Sequence, residues 1–213
     1  MTRRILEPIE RVSEVLFGLI MVLTFTGSLS AAEAGHADVR AMLIAALGCN
    51  LAWGIIDAVM YLMGCLADEG RELATLRSLR AAPDPAAARQ VLADALPPYL
   101  ASVARPEELD AWGERLRAGG EPPAAGHLGR DEWLGALGVF LWVFASTFPV
   151  VVPFLFVSEP LRAVRLSNTV ALVMLYLTGH ALGRVTGHRT WLTGLAMVAV
   201  GALLVALTIA LGG

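Results

Sequence analysis

A carboxylate, an amide and a thioether recur at helical spacing inside one apolar stretch of this chain. Asn50 and Asp57 are seven residues apart, so on a helix they share a face; Met60 follows three residues later on that face, with Met63 nearby. Oxygen and thioether donors on one stripe suit a moderately soft divalent cation such as Fe2+ or Mn2+. Asp57 has about eighteen largely apolar positions before it and nine after it. A charge at mid-bilayer costs at least about 2.5–3.5 kcal/mol, so such a residue must face protein or a wet cavity. Two uses are open to it: a ligand on an ion path, or an Asp–Asn pair that glues helices together.

Further candidates lie in neighbouring stretches. Glu14 opens the first apolar block, as a pathway acid or an interfacial one, and Met21 sits seven residues along the same face. His180 lies near one end of a later block whose other end carries Asn168. Histidine titrates near neutrality, which makes His180 the candidate proton relay. Glu33, His36 and Asp38 cluster between the first two blocks, where they could attract a cation or simply be solvated.

The elements that must position these groups are long and apolar. A helix needs about 20 apolar residues to cross a bilayer. Five stretches approach or exceed that: Val15–Ala32, Val39–Leu66, Trp133–Val157, Leu166–Leu182 and Trp191–Leu211. The last two are joined by the short link Gly183–Arg189, which predicts an antiparallel hairpin. Pro149 and Pro153 are expected to break or kink the third stretch, since each removes a backbone donor. Glycines are dense in the spans and permit close helix approach.

The intervening polar segment, residues 67–132, holds 8 of the 16 arginines and 12 of the 19 acids. Its start continues the second helix through Leu73, Leu76 and Leu79. Asp84 then caps a short helix ended by Pro97-Pro98, and Pro106-Glu107-Glu108 opens another with acids in its first turn. Gly119-Gly120-Glu121-Pro122-Pro123 reads as a linker. The expectation is a small helical module without a core of its own, dividing the chain into residues 1–66, 67–132 and 133–213.

The composition agrees. Of 213 residues 56% are hydrophobic and 16% charged, against roughly 25% charged in soluble domains. Net charge is −3 and every basic residue is arginine, which gives no electrostatic case for nucleic acid. Cys49 and Cys65, sixteen residues apart on one predicted helix, lie about 24 Å apart along its axis and cannot bridge. The first block is longer than a usual signal-peptide core and reads as a retained span. Thirteen arginines fall on the side of the N-terminus and three on the other, which predicts N-terminus inside and C-terminus outside. No Gly-x-Ser-x-Gly, Cys-x-x-Cys, His-Glu-x-x-His, phosphate loop or dinucleotide fingerprint is present, so no enzyme is expected.

Three local runs, in order, resemble the vacuolar iron transporter (VIT) family. Ser13-Glu14-Val15-Leu16-Phe17-Gly18 is similar to the family's opening Glu-x-Val-Phe-Gly. Met42–Gly48 resembles the start of its second helix, and Phe148-Pro149-Val150-Val151-Val152-Pro153-Phe154-Leu155 its double-proline third helix. The resemblance implies a dimeric exporter of Fe2+ or Mn2+ from the cytoplasm in exchange for protons. The family's first-helix aspartate falls here on Met21, and Asp57 with Met60 and Met63 occupies the stretch of its second-helix ligands. Glu69, Glu72, Glu107, Glu108 and Glu114 are the counterparts of its metal-binding glutamates in the cytoplasmic module.

The sequence thus predicts an all-α integral membrane protein with five transmembrane helices and a small cytoplasmic helical module between helices 2 and 3. It is expected in a bacterial inner membrane as a homodimer, with no permanent cofactor and Fe2+ or Mn2+ as cargo. Asp57, Asn50, Met60, Met21 and Glu14 are the expected metal-site residues. The alternative is a membrane interaction protein that recruits a partner through residues 67–132 and transports nothing.

Overall fold

The computed structural model describes residues 8–29, 36–120 and 127–210. Eight helices account for nearly all of them: α1 (Pro8–Leu29), α2 (His36–Ala81), α3 (Pro85–Ala95), α4 (Pro98–Val103), α5 (Pro106–Ala118), α6 (Arg130–Phe156), α7 (Pro160–Thr186) and α8 (Thr190–Ala210). Four are long and apolar enough to cross a membrane: α2, α6, α7 and α8. The described apolar stretch of α1, Val12–Thr24, is shorter. The chain forms two compact units, one from residues up to Tyr61 together with those from Arg130 onward, the other from Leu62–Gly129.

In the first unit α1 lies among α6, α7 and α8. Leu19, Val22 and Leu23 of α1, Val150 of α6, and Ala171 and Leu175 of α7 are fully buried together. Lipid tails are as apolar as leucine, so such a bundle is held by close packing and interhelical hydrogen bonds rather than by escape from water. Glycines supply the close packing. A Cβ on Gly18 would lie 2.7 Å from the Val143 carbonyl and closer still to Ser146 Oγ. One on Gly54 would press on the Phe140 ring, and Gly135 lies under the ring of Tyr61. The rings of Phe17 and Trp53 meet edge to face at 5.1 Å, adding a contact between α1 and α2.

The predicted hairpin is present as α7 and α8, and its register is visible in four glycines. Gly183 faces Thr190, Gly179 faces Thr193 and Met197, Gly194 faces Tyr176, and Gly201 faces Leu175. Partners descend in α7 as they climb in α8, so the helices are antiparallel. The link is tighter than expected: Gly183, Arg184, Val185 and Thr186 are still helical. The chain turns at Gly187, whose φ of 72° is left-handed and favours glycine.

The expected break in α6 does not occur. The helix runs unbroken through Pro149 and Pro153 to Phe156. The prolines are four residues apart, so the carbonyls they leave without an amide partner lie about one turn apart on a single face, where neighbouring helices can compensate for them.

The second unit corrects another expectation, because it has a small core of its own. Leu79 from the end of α2, Ala88 and Leu92 of α3, and Leu109 of α5 are buried together. Asp84 caps α3 as predicted, its carboxylate accepting from the Ala87 amide at 2.7 Å. The first turn of α5 also forms as predicted, with the Glu108 carboxylate accepting from the Arg105 amide at 2.9 Å. Pro98 does more than end a helix, since it opens the one-and-a-half turns of α4. Two arginines tie helix ends together. Arg117 donates to the carbonyls of Leu79 and Ala82 at the end of α2, and Arg80 to those of Gly119 and Gly120 after α5. Both satisfy carbonyls that a helix terminus leaves without partners.

Arg89 of α3 grips Asp110 of α5 with both prongs, Nε at 3.0 Å and Nη2 at 2.7 Å. The guanidinium hydrogen bonds hold the Asp110 carboxyl below its usual range. An acid lowered in the folded state stabilises above its unfolded pKa of about 3.9, and that contribution is lost as pH falls through the native value. Amide exchange in α3 and α5 of the full chain should therefore accelerate as pH drops below about 4, relative to intrinsic rates. Asp110→Asn should flatten that dependence. Both side chains are 36% exposed, so the effect should be small and weaken with salt.

Candidate functional site

The polar residues of the first unit gather where α1, α2 and α6 meet. Asn50 of α2 is fully buried, and its Nδ2 donates to the Gly18 carbonyl at 3.3 Å and to Thr147 Oγ1. A carbonyl can only accept, so the amide nitrogen must be the end that faces α1. Its Oδ1 is left buried with no hydrogen-bond partner among the described residues. Two turns along α2, the half-buried Asp57 comes within side-chain interaction range of the Glu14 carboxyl of α1. Two carboxyl groups bond only when one carries a proton, since ionised carboxylates are acceptors alone. Asp57 Oδ2 is likewise buried with no hydrogen-bond partner among the described residues.

The arrangement joins three predicted residues, Glu14, Asn50 and Asp57, on adjacent helices. It sets Met60 apart: that side chain is 61% exposed, on the face of α2 that also carries Ile56, Val59 and Met63. Met21 is half-buried in α1. His180 is half-buried in α7 beside Tyr176, with ring centroids 6.2 Å apart, and its Nδ1 is buried without a partner among the described residues. In the second unit Glu108 is engaged in its cap, Glu107 lies in the field of Arg89, Glu69 is half-buried, and Glu72 and Glu114 are exposed. Among the described residues no three His, Cys, Asp or Glu side chains group closely enough to hold a metal ion. Glu33 lies outside the described residues, as do the side chains of His36 and Asp38. Glu121, Pro122 and Pro123 of the expected linker also lie outside them.

Sequence reasoning missed Thr147, which holds the Asn50 amide. The available signal was the pair Ser146-Thr147, adjacent hydroxyls within an apolar span just before Pro149. It also missed a second polar layer. Thr26 Oγ1 of α1 donates to Asn168 Oδ1 of α7 at 2.8 Å, and Ser167 Oγ donates to the Val150 carbonyl of α6 at 2.7 Å.

Removing the amide tests its structural share. Asn50→Leu should lower the stability of the detergent-solubilised protein by about 1–2 kcal/mol, the usual range for interhelical hydrogen bonds in membranes. The readout is the midpoint of thermal unfolding.

Helices of membrane-crossing length, with carboxyl and amide groups bonded between them, define an α-helical integral membrane protein with a polar site inside its bundle. The chain belongs to the VIT family, whose model matches residues 85–213, more than half of its length. No curated protein matches the chain. Family membership points to metal-ion transport across a membrane rather than to an enzyme. The matched stretch runs from α3 through α8, while Glu14, Asn50 and Asp57 lie in α1 and α2, before it.

Proposed function

We propose that this protein carries Fe2+ or Mn2+ across the membrane in exchange for protons, with Asp57 and Glu14 as the exchanging pair. The approach of their two carboxyl groups inside the bundle, beside the fully buried Asn50, is the observation that carries this reading. A carboxyl pair holds either a shared proton or a divalent cation, so metal entry must expel a proton. The unpartnered oxygens Asp57 Oδ2 and Asn50 Oδ1 supply further donors on the same face of α2. So few anionic ligands suit a transit site, which must bind well enough to load and weakly enough to release. Met60 and Met21 are auxiliary ligands in this reading, and His180 relays protons.

Three parts of the reading rest on packing and charge. α1 is the fifth span, because its core residues are fully buried among α6, α7 and α8 and so share their layer. The arginine-rich side is cytoplasmic, with the Leu62–Gly129 unit there and the C-terminus outside. The exposed apolar face of α2, with Ile44, Leu51, Ile55 and Val59, lies across the helix from Asp57 and is where a second copy packs. Glu69, Glu72, Glu107, Glu108 and Glu114 would gather metal only transiently, as a charged approach to the path.

Purified protein in liposomes tests the reading. Mn2+ or Fe2+ should move down an imposed proton gradient, and the vesicle lumen should change pH in step. The competing reading, a scaffold that recruits a partner, draws on Tyr99, Leu100 and Val103 of α4, all exposed, with Tyr99 at 77%. Absence of flux for any divalent ion, together with a stable complex formed through residues 67–132, would establish that one instead.

A further inference from the structure

A groove runs along the first unit between α1, α6 and α7, and neither Glu14 nor Asp57 lines it. Its volume is about 430 Å³, and its walls are Val12 and Val15, Trp142, and Leu177, Ala181 and Val185. Thr178 also lines it, but its hydroxyl is turned back onto the Met174 carbonyl at 2.8 Å, leaving the methyl group as its free surface. Nothing in this lining could hold an ion.

The dimensions match one kind of occupant. From Leu177 to Val185 the helix rises about 12 Å, close to the half-thickness of a hydrocarbon core about 30 Å deep. The groove reaches the end of the bundle where α7 stops. There Arg184 lies seven residues after Leu177 on the same side of α7, level with Val185, the last of the apolar walls. Its side chain is exposed and makes no ion pair among the described residues; Arg189 is exposed just past the turn. The result is an apolar trough one leaflet long with a cation at its mouth.

We propose that this groove is a binding site for an anionic phospholipid, one acyl chain lying along α1, α6 and α7 and the headgroup phosphate meeting Arg184. The occupant is a lipid rather than free phosphate because the apolar trough, not the arginine, supplies most of the contact. An acyl chain there fills the space between α1 and α7 and couples the packing of α1 to the composition of the membrane. The inference stands on the membrane-spanning bundle alone and does not depend on which ion is carried.

Native mass spectrometry of delipidated full-length protein tests it, with added dioleoylphosphatidylglycerol, dioleoylphosphatidylcholine or glycerophosphoglycerol as probes. The wild type should retain one tightly held phosphatidylglycerol per chain and release the phosphatidylcholine and the chainless headgroup. Arg184→Gln should weaken retention about fivefold, the share of one arginine at an anionic headgroup. Ala181→Trp fills the trough and should weaken it about tenfold or more, as displacing two methylenes from an apolar site does. Unfolding midpoints without lipid confirm that both variants are folded; Ala181→Ser, which leaves the trough open, serves as a second check and should retain lipid. Equal retention of both phospholipids by the wild type, or unchanged phosphatidylglycerol retention in folded Ala181→Trp, overturns the proposal. Retention of glycerophosphoglycerol as tightly as the lipid would reduce the site to a surface arginine and overturn it equally.

Discussion

Asp57→Asn is expected to cut Mn2+ or Fe2+ flux in proteoliposomes about a hundredfold or more while the protein still folds. The substitution keeps shape and hydrogen-bonding capacity, and an Asn amide can still donate to the Glu14 carboxylate. What it removes is one negative charge. Two unit charges 4 Å apart interact by about 4 kcal/mol at an effective dielectric of 20, and a divalent ion doubles that, so even strong screening leaves two decades of affinity. The proton coupling should vanish with the flux, because the pair can no longer give up a proton when metal enters. A second measurement separates binding from turnover. Mn2+ should raise the unfolding midpoint of the wild type, since a ligand of the folded state stabilises it by mass action, and should leave that of Asp57→Asn unchanged. Flux that persists in the variant with its pH dependence intact would rule out the exchanging pair.

Gly18→Ala should be the most damaging of the single-methyl additions, at about 2–3 kcal/mol of stability, with transport lost as well. The new Cβ would sit 2.7 Å from the Val143 carbonyl and still closer to Ser146 Oγ. The hydroxyl could rotate away, but the carbonyl belongs to the α6 backbone and could not. Helix α1 would have to move off α6, taking the Gly18 carbonyl from Asn50 Nδ2 and Glu14 from Asp57. Ser146→Ala in the same chain should therefore fail to rescue it. Gly48→Ala is the matched control, since a Cβ there meets nothing within 4 Å, and it should be neutral or slightly stabilising. Unfolding midpoints of the three variants in one detergent decide the matter, and equal midpoints for Gly18→Ala and wild type would show that α1 does not rest on α6 as described.

Much of the architecture was legible because apolar length and helix caps are local signals. The spans, the run of α2 past the apolar stretch, the Asp84 cap and the start of α5 at Pro106 all follow from a few neighbouring residues. Asp57 stood out because an acid in an apolar stretch is costly without a purpose. Its pairing with Glu14 did not. Glu14 and Asp57 are joined by the docking of α1 on α2, which no spacing within either helix reveals. The same limit hid Thr147, whose hydroxyl matters only because Asn50 arrives from another helix. Met60 shows another limit, since spacing puts it on the stripe of Asp57 while packing leaves it mostly exposed. Pro149 and Pro153 misled because proline opposes helix as a single residue, whereas a long span in an apolar bundle has neighbours to absorb the cost. The core of the second unit was missed because its leucines and alanine come from the end of α2 and two short helices, each too polar there to announce a core alone.

The glycine contacts between α7 and α8 act like teeth in a ratchet, and they fix how this part of the gene can change. Adding or deleting one residue at Gly187–Arg189 would swing α8 through about 100°. Gly194 and Gly201 would then leave Tyr176 and Leu175 together, and bulkier neighbours would arrive in their places. Such a slip is an all-or-nothing failure, whereas substitutions at Val200 or Leu203 on the outer face of α8 touch no tooth. The turn is therefore locked in length though free in sequence at His188, a constraint imposed by geometry some 20 Å away along the helix.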